Sequence, residues 1–212
     1  MAQVQTFALP HYEAYPVHVA LFQDVRNAAF LRSQLLEANL DFDYAFLDAE
    51  MILTPHHLLN ATFLALHAIL TNRQKTRTPH SELVFRLSPN NNIGESYKKF
   101  GLSDATTCLI AVKLPLRSST SDGKDWILDE AITNDSVSKH LGDVVEGTSV
   151  TISDGGEELG YRCDVQKIRK MYKLGDGAKK GKKGVVANGD AEKNEKREME
   201  SVILGIMTLK GS

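Results

Sequence analysis

The longest apolar run in the chain, Thr106–Leu114 (TTCLIAVKL), stops at Pro115. It has the length of one strand, far short of the roughly 18–20 apolar residues a membrane-spanning helix needs. The chain must therefore bury a strand between other elements, and this run reads as the central one. Val17–Gln23 (VHVALFQ) reads as the first strand, β-branched and aromatic and closed by a polar residue. Tyr44–Leu47, Glu82–Leu87 (ELVFRL) and Ser149–Ile152 read as shorter strands.

Helical spacing fills the gaps. Val25, Ala28, Ala29, Leu31, Leu35 and Leu36 recur behind Asp24, a natural cap. Thr54-Pro55 opens a long helix, with Leu58, Leu59, Thr62, Phe63, Leu66, Ile69 and Leu70 as its buried stripe. Ile93–Phe100 is a short helix closed by Gly101. Trp126–Ala131 and Val137–Leu141 read as helical, and Asp164 caps a helix over Val165–Lys173; residues 116–125 form a polar loop. Interleaved elements of this kind imply an α+β class with α/β-like alternation: a single domain, a mixed sheet packed with helices, in an order that the spacing leaves open.

Gly175–Lys193 contains five glycines, many lysines and almost nothing apolar, so a flexible linker is expected there. Residues 1–174 then form the domain, and residues 194–212 return as a helix that completes it. Over the whole chain of 212 residues, 42% are hydrophobic and 25% charged, which excludes wholesale disorder. A net charge of -2 excludes a globally basic nucleic-acid binder, though not a local basic patch. The N-terminus lacks a basic stretch followed by an apolar one, so a soluble intracellular protein with no membrane association is expected. Two cysteines exclude a disulfide framework.

No catalytic constellation is evident. The seven histidines are scattered with no HxxxH or HExxH spacing, and no phosphate-binding glycine loop is present. No metal, cofactor or catalytic residue is therefore expected. The rival to a binding protein is a small α+β enzyme using Cys163, whose thiol precedes a helix, or the histidines. Binding residues are easier to find. Between Arg73 and Lys99 six basic residues face only Glu82 and Glu95. Lys75, Arg77, Lys98 and Lys99 are candidates for phosphate contact, with solvation and helix-dipole matching as the plain alternative. Within Leu87–Ile93 (LSPNNNI), Asn92 suffices to cap the following helix, with Glu95 at capping-box spacing. Asn90 and Asn91 are then surplus: they belong either to a tight turn or to a surface that reads bases and backbone oxygens. A second basic face is possible on Lys167, Arg169, Lys170 and Lys173.

The last helix carries two uncharged faces. Met199, Val202, Ile203, Ile206 and Met207 form an apolar stripe, expected to dock on the domain. Ser201, Gly205 and Thr208, edged by Leu204, form a small-residue face suited to a partner, unless the whole helix is buried core.

Lys75–Leu102 (KTRTPHSELVFRLSPNNNIGESYKKFGL) resembles the signature of one family, the small kinase-binding subunit of the KEOPS or EKC complex, also called the PRPK-binding protein family. A KTRT turn, LSPNNNI and a helix ending in KKFG are all present, with weaker echoes at Asp24–Ala28 and Lys170–Leu174. The resemblance covers roughly residues 5–174 and the last helix; the Gly/Lys segment departs from it. It implies a non-catalytic subunit that binds the N-terminal lobe of the complex's kinase-like ATPase and, through it, other subunits. It further implies recruitment of tRNA, including the single-stranded CCA end, for threonylcarbamoyl modification of tRNAs reading codons that begin with adenine. Placement in nucleus and cytoplasm, and links to telomeres and transcription, follow from the same resemblance. Taken with the local charge and the Asn loop above, Lys75, Arg77, Asn90, Asn91, Asn92, Lys98 and Lys99 are the expected tRNA-binding residues. Ser201, Leu204, Gly205 and Thr208 are the expected kinase-binding ones.

Overall fold

The computed structural model describes residues 1–120, 125–175 and 188–210, with side chains in the last segment from residue 194. In chain order the elements are β1 (Val4–Phe7), β2 (Val17–Gln23), α1 (Ala28–Leu36), β3 (Ala45–Asp48), α2 (Pro55–Leu70), α3 (Pro79–Leu87) and α4 (Ile93–Phe100). There follow β4 (Leu109–Lys113), β5 (Leu116–Ser118), β6 (Trp126–Leu128), α5 (Asn134–Val144), β7 (Thr148–Val150), α6 (Val165–Met171) and α7 (Asn188–Lys210).

β2 is the hub. One edge pairs with β4, Leu21 opposite Ile110, and β4 passes on to β3, Phe46 opposite Ala111. The other edge is shared end to end by β1, Val4 opposite Ala20, and β7, Val150 opposite Leu21. All these ladders are antiparallel, so the α+β class stands but the mixed sheet expected from the sequence does not.

Helices cover both faces. Val17, Val19 and Leu21 of β2 share one core with Leu47, Ile110 and Val112 and with α2, α3, α6 and α7. Ala20 and Phe22 share a second core with Phe46, Leu109 and Ala111 and with α1 and α5. Strands buried on two faces need apolar residues at every position. That is why β2 and β4 read as continuous runs.

The sequence signal fails where a strand is only three residues long, or where a helix is buried on nearly every side. Glu82–Leu87, expected as a strand, lies in α3. Thr78 caps this helix through Ser81 N–H and Pro79 occupies its first turn, but burial all round erases the 3.6-residue period. Trp126–Ala131, expected as a helix, begins with β6, and its partner β5 occupies the start of residues 116–125, expected as a polar loop. Asp24 does not cap α1; it adopts a left-handed φ of 53°, and Asn27 precedes the helix. Helix α7 begins at Asn188, inside the segment expected as a linker, whose residues 176–187 lie outside the described residues.

α2, α3 and α6 are stitched together by one buried histidine. His57 Nδ1 accepts from Leu53 N–H at 3.2 Å, and its Nε2 bonds the Tyr172 hydroxyl at 2.8 Å. Tyr172 in turn donates to the carbonyl of Leu87. Complete burial pushes the imidazole down to about 3, so it is neutral in the folded protein. The unfolded chain takes a proton below its ordinary pKa of about 6.5, and the folded chain does not until far lower. Stability from this site is therefore full above about pH 6.5 and lost as pH falls. The loss should approach about 2 kcal/mol between pH 7.5 and 5. His80, also buried with its pKa lowered by burial, adds in the same direction. Thermal unfolding across this range should show the fall, and His57→Gln, which cannot titrate, should lose part of that slope.

Candidate functional site

The basic turn before α3 is held by a carboxylate that the sequence reading counted only as opposing charge. Glu82 has no solvent exposure. Its Oε2 accepts from the backbone N–H groups of Lys75 at 2.9 Å and Thr76 at 3.0 Å, and from the Thr76 hydroxyl at 3.0 Å. Its Oε1 accepts from Arg86 Nε at 2.8 Å. The turn thus curls back on the helix it precedes, and the side chains of Lys75 and Arg77 are left exposed.

Beside this turn opens a cleft of about 780 Å³, between the end of α1 with the turn after it, the start of α3, and α4. Leu35, Phe42, Tyr44 and Leu102 line it with apolar surface, and Arg32, Arg77 and Lys98 bring cations to it. Arg32 pairs with Asp104 at 3.3 Å and Lys98 with Glu95 at 3.0 Å. Both pairs are exposed, and such pairs contribute roughly 0–1 kcal/mol. An anion can replace either carboxylate at little cost.

The more buried polar groups beside this cleft are committed to one another. His80 Nε2 accepts from Leu114 N–H at 3.0 Å, and its Nδ1 lies 3.0 Å from Asp43 Oδ1. Burial would raise the Asp43 carboxyl, but His80, Lys113 and Thr78 outweigh it and hold it at about 2. Lys113 donates to the Asp43 carbonyl at 2.6 Å and sits 4.7 Å above the Tyr44 ring. Nε2 is held by the backbone and Nδ1 faces the Asp43 carboxyl in a buried contact, so His80 is committed to structure. His57 is spent in the same way on core bonds, and Cys163 packs against the apolar core. Among the described residues no three His, Cys, Asp or Glu side chains could together hold a metal ion.

Of the residues expected to bind nucleic acid, Arg77 and Lys98 meet in the cleft. Lys75, Lys99 and Asn91 are exposed outside its lining. Asn92 caps α4 by accepting from Glu95 N–H at 3.0 Å. Asn90 is not surplus as expected: its side chain accepts from Asn92 N–H at 3.0 Å and shapes the turn. Asn91 keeps a side chain with no bond to the described residues. Arg32 escaped the sequence reading because it comes from α1, and nothing in the sequence joins it to residues 73–99. The second basic face is partly neutralised, with Lys167 on Glu50 and Arg169 on Glu195.

On α7, Met199, Ile203 and Met207 are buried in the core, as expected of the apolar stripe. Val202, assigned to the same stripe, is 50% exposed: it follows Ser201 onto the outer side. Ser201, Gly205 and Thr208 are exposed, and Leu204 is half-buried at their edge. A Cβ built on Gly205 meets nothing within 4 Å. With Leu209, 75% exposed, these residues make an outer face that the domain does not cover.

Comparison with known proteins places this geometry. The family model described as kinase binding protein CGI-121 matches residues 22–211. The EKC/KEOPS complex subunit CGI121 of Phaeosphaeria nodorum is 66% identical over 99% of this chain and all of the relative. The EKC/KEOPS complex subunit cgi121 of Aspergillus fumigatus is 42% identical, over 99% of this chain and 97% of the relative. That of Schizosaccharomyces pombe is 32% identical, over 78% and 86%. The family model and these full-length matches agree with the motif in residues 75–102, and the chain belongs to the CGI-121 family of kinase-binding proteins.

Proposed function

We propose that this chain is a non-catalytic subunit of a KEOPS/EKC-type complex that binds the kinase-like ATPase on the outer face of α7 and a tRNA 3′ end at the cleft. In this role it supports threonylcarbamoyl modification of tRNAs reading codons that begin with adenine. It serves in the nucleus, with the links to telomeres and transcription noted above, and in the cytoplasm. The observation that carries the tRNA reading is the cleft itself. Apolar and aromatic surface suits unstacked bases, and loosely paired cations at the same opening suit the phosphates between them. Exposed Lys75, Lys99 and Asn91 extend that surface past its mouth. The names of the relatives, and an α7 face of small residues that the domain leaves uncovered, support the kinase reading.

Charge reversal of Lys75 and Arg77 together should weaken binding of a tRNA transcript and flatten its salt dependence. Two single-strand phosphate contacts correspond to a change of about 1.4 in the log–log slope. An unchanged slope would remove the basic turn from the interface. Asn91→Ala should lower affinity without altering the melting temperature. Asn92→Ala should cost about 1 kcal/mol through the lost cap.

For the kinase face, Gly205→Arg should abolish co-purification with the kinase subunit. In isolation this variant should be as stable as the parent or slightly more so, because arginine is the better helix former by roughly 0.5–1 kcal/mol. Ile203→Ala, on the buried side, should instead destabilise the isolated protein by about 2–5 kcal/mol. Retained co-purification of a folded Gly205→Arg protein would place the kinase elsewhere.

A further inference from the structure

Lys210 stands in the last turn of α7, where a lysine pointing to solvent would already complement the helix dipole. It turns inward instead. Its Nζ donates to the carbonyl of Phe85 and, at 2.9 Å, to that of Ser88, and it lies 3.5 Å over the Phe85 ring. These carbonyls lie at the C-terminal end of α3: that of Phe85 also accepts from Ser88 N–H at 3.2 Å, and that of Ser88 lies just past the helix. Burial, with Arg86 adding to it and Glu82 opposing, pulls the ammonium down to about 8. Holding a cation there is unfavourable unless the carbonyls compensate it.

Ser88 is also where the Asn loop begins. Its hydroxyl accepts from Asn90 N–H at 3.4 Å, Asn90 accepts from Asn92 N–H at 3.0 Å, and Asn92 accepts from Glu95 N–H at 3.0 Å. An unbroken series of bonds thus runs from the end of α7 to the start of α4. That helix supplies Gly94, Tyr97 and Lys98 to the cleft. We infer that Lys210 is a positioning residue that couples the seating of α7 to the conformation of the Asn loop and the α4 side of the cleft. An occupant of the outer face of α7 and an occupant of the cleft then influence each other through this one side chain. Such influence is reciprocal wherever binding free energies are concerned. The coupling rests on the proposed function for its biological meaning but not for its existence.

The test is amide hydrogen exchange on the full chain, comparing the parent with Lys210→Met, which keeps the stem over Phe85 and removes the cation. Lys139→Met, at an exposed lysine of α5, is the control. Exchange over residues 88–96 should quicken about tenfold in Lys210→Met, while residues 55–70 of α2 and residues 199–207 of α7 keep their protection. Unchanged exchange at 88–96 would overturn the inference. Loss of protection across 199–207 would overturn it too, because Lys210 would then be a clamp on its own helix. A second arm adds an oligonucleotide ending in CCA. In the parent it should slow exchange at both 88–96 and 203–210, and in Lys210→Met at 88–96 alone. Protection confined to 88–96 in the parent would again sink the coupling. Protection at neither segment would sink the tRNA reading and leave the coupling to be decided by the first arm.

Discussion

Glu82 and Arg86 form a buried ion pair one turn apart on α3. Taking two charges out of water costs several kcal/mol per ion, and their mutual attraction offsets this only when the remaining lone pairs are also filled. The second oxygen of Glu82 is filled by the chain just upstream, and three donors from Lys75 and Thr76 converge on it. Much of the site follows from that requirement. The turn must curl against α3, its charged side chains must face outward, and Arg77 reaches the mouth of the cleft. Removing the carboxylate would leave Arg86 buried and unpaired and would release the turn at once. Shape and charge at this site therefore depend on one another.

The cleft also depends on the layering. With helices on both faces of the sheet, α1 belongs to one core and α3 to the other. Their ends meet at one end of the sheet, where the turn after α1 brings Phe42, Asp43 and Tyr44 toward Thr78, His80 and Ser81. Aromatic rings crowd this seam: Tyr44 stacks on Phe46 and on His140. A cleft between two cores is flanked by regular elements on each side, so its walls are set by packing rather than by loops alone.

How much of this was legible depended on where burial left a pattern. β2 and β4 were legible because a strand buried on both faces is apolar throughout. α2 was legible because Thr54-Pro55 marks its start and a helix-length run of apolar residues at helical spacing follows it. α3 begins with the same device, Thr78-Pro79, but the alternation of Leu, Val, Phe and Leu behind it mimics a strand once no side faces water. β1 is four residues long and edge-placed, and β5 and β6 are three residues each, too short for any period to show. At the site, Arg77 and Lys98 were legible as excess local charge. Arg32 was not, because its proximity exists only after folding. The role of Asn90 was hidden by its neighbours: three consecutive asparagines look interchangeable until the turn assigns each a different bond.

The sharing of one edge of β2 by β1 and β7 also bears on the order in which the chain assembles. β1 pairs with its immediate neighbour in sequence, a local step that closes a short loop. β4 comes far downstream, Ile110 opposite Leu21, and β7 further still, Val150 opposite Leu21 from the other side. Non-local pairings require long loops to close before any contact rewards them, and they slow folding. During synthesis from the N-terminus, the hub strand is made early and waits with much of its hydrogen-bonding potential open until residues near 110 and then 150 emerge. An apolar strand with unpaired edges is a template for association with other chains. For this molecule the vulnerable period is thus the interval of its own translation, and the residues at risk are those that later become its most deeply buried.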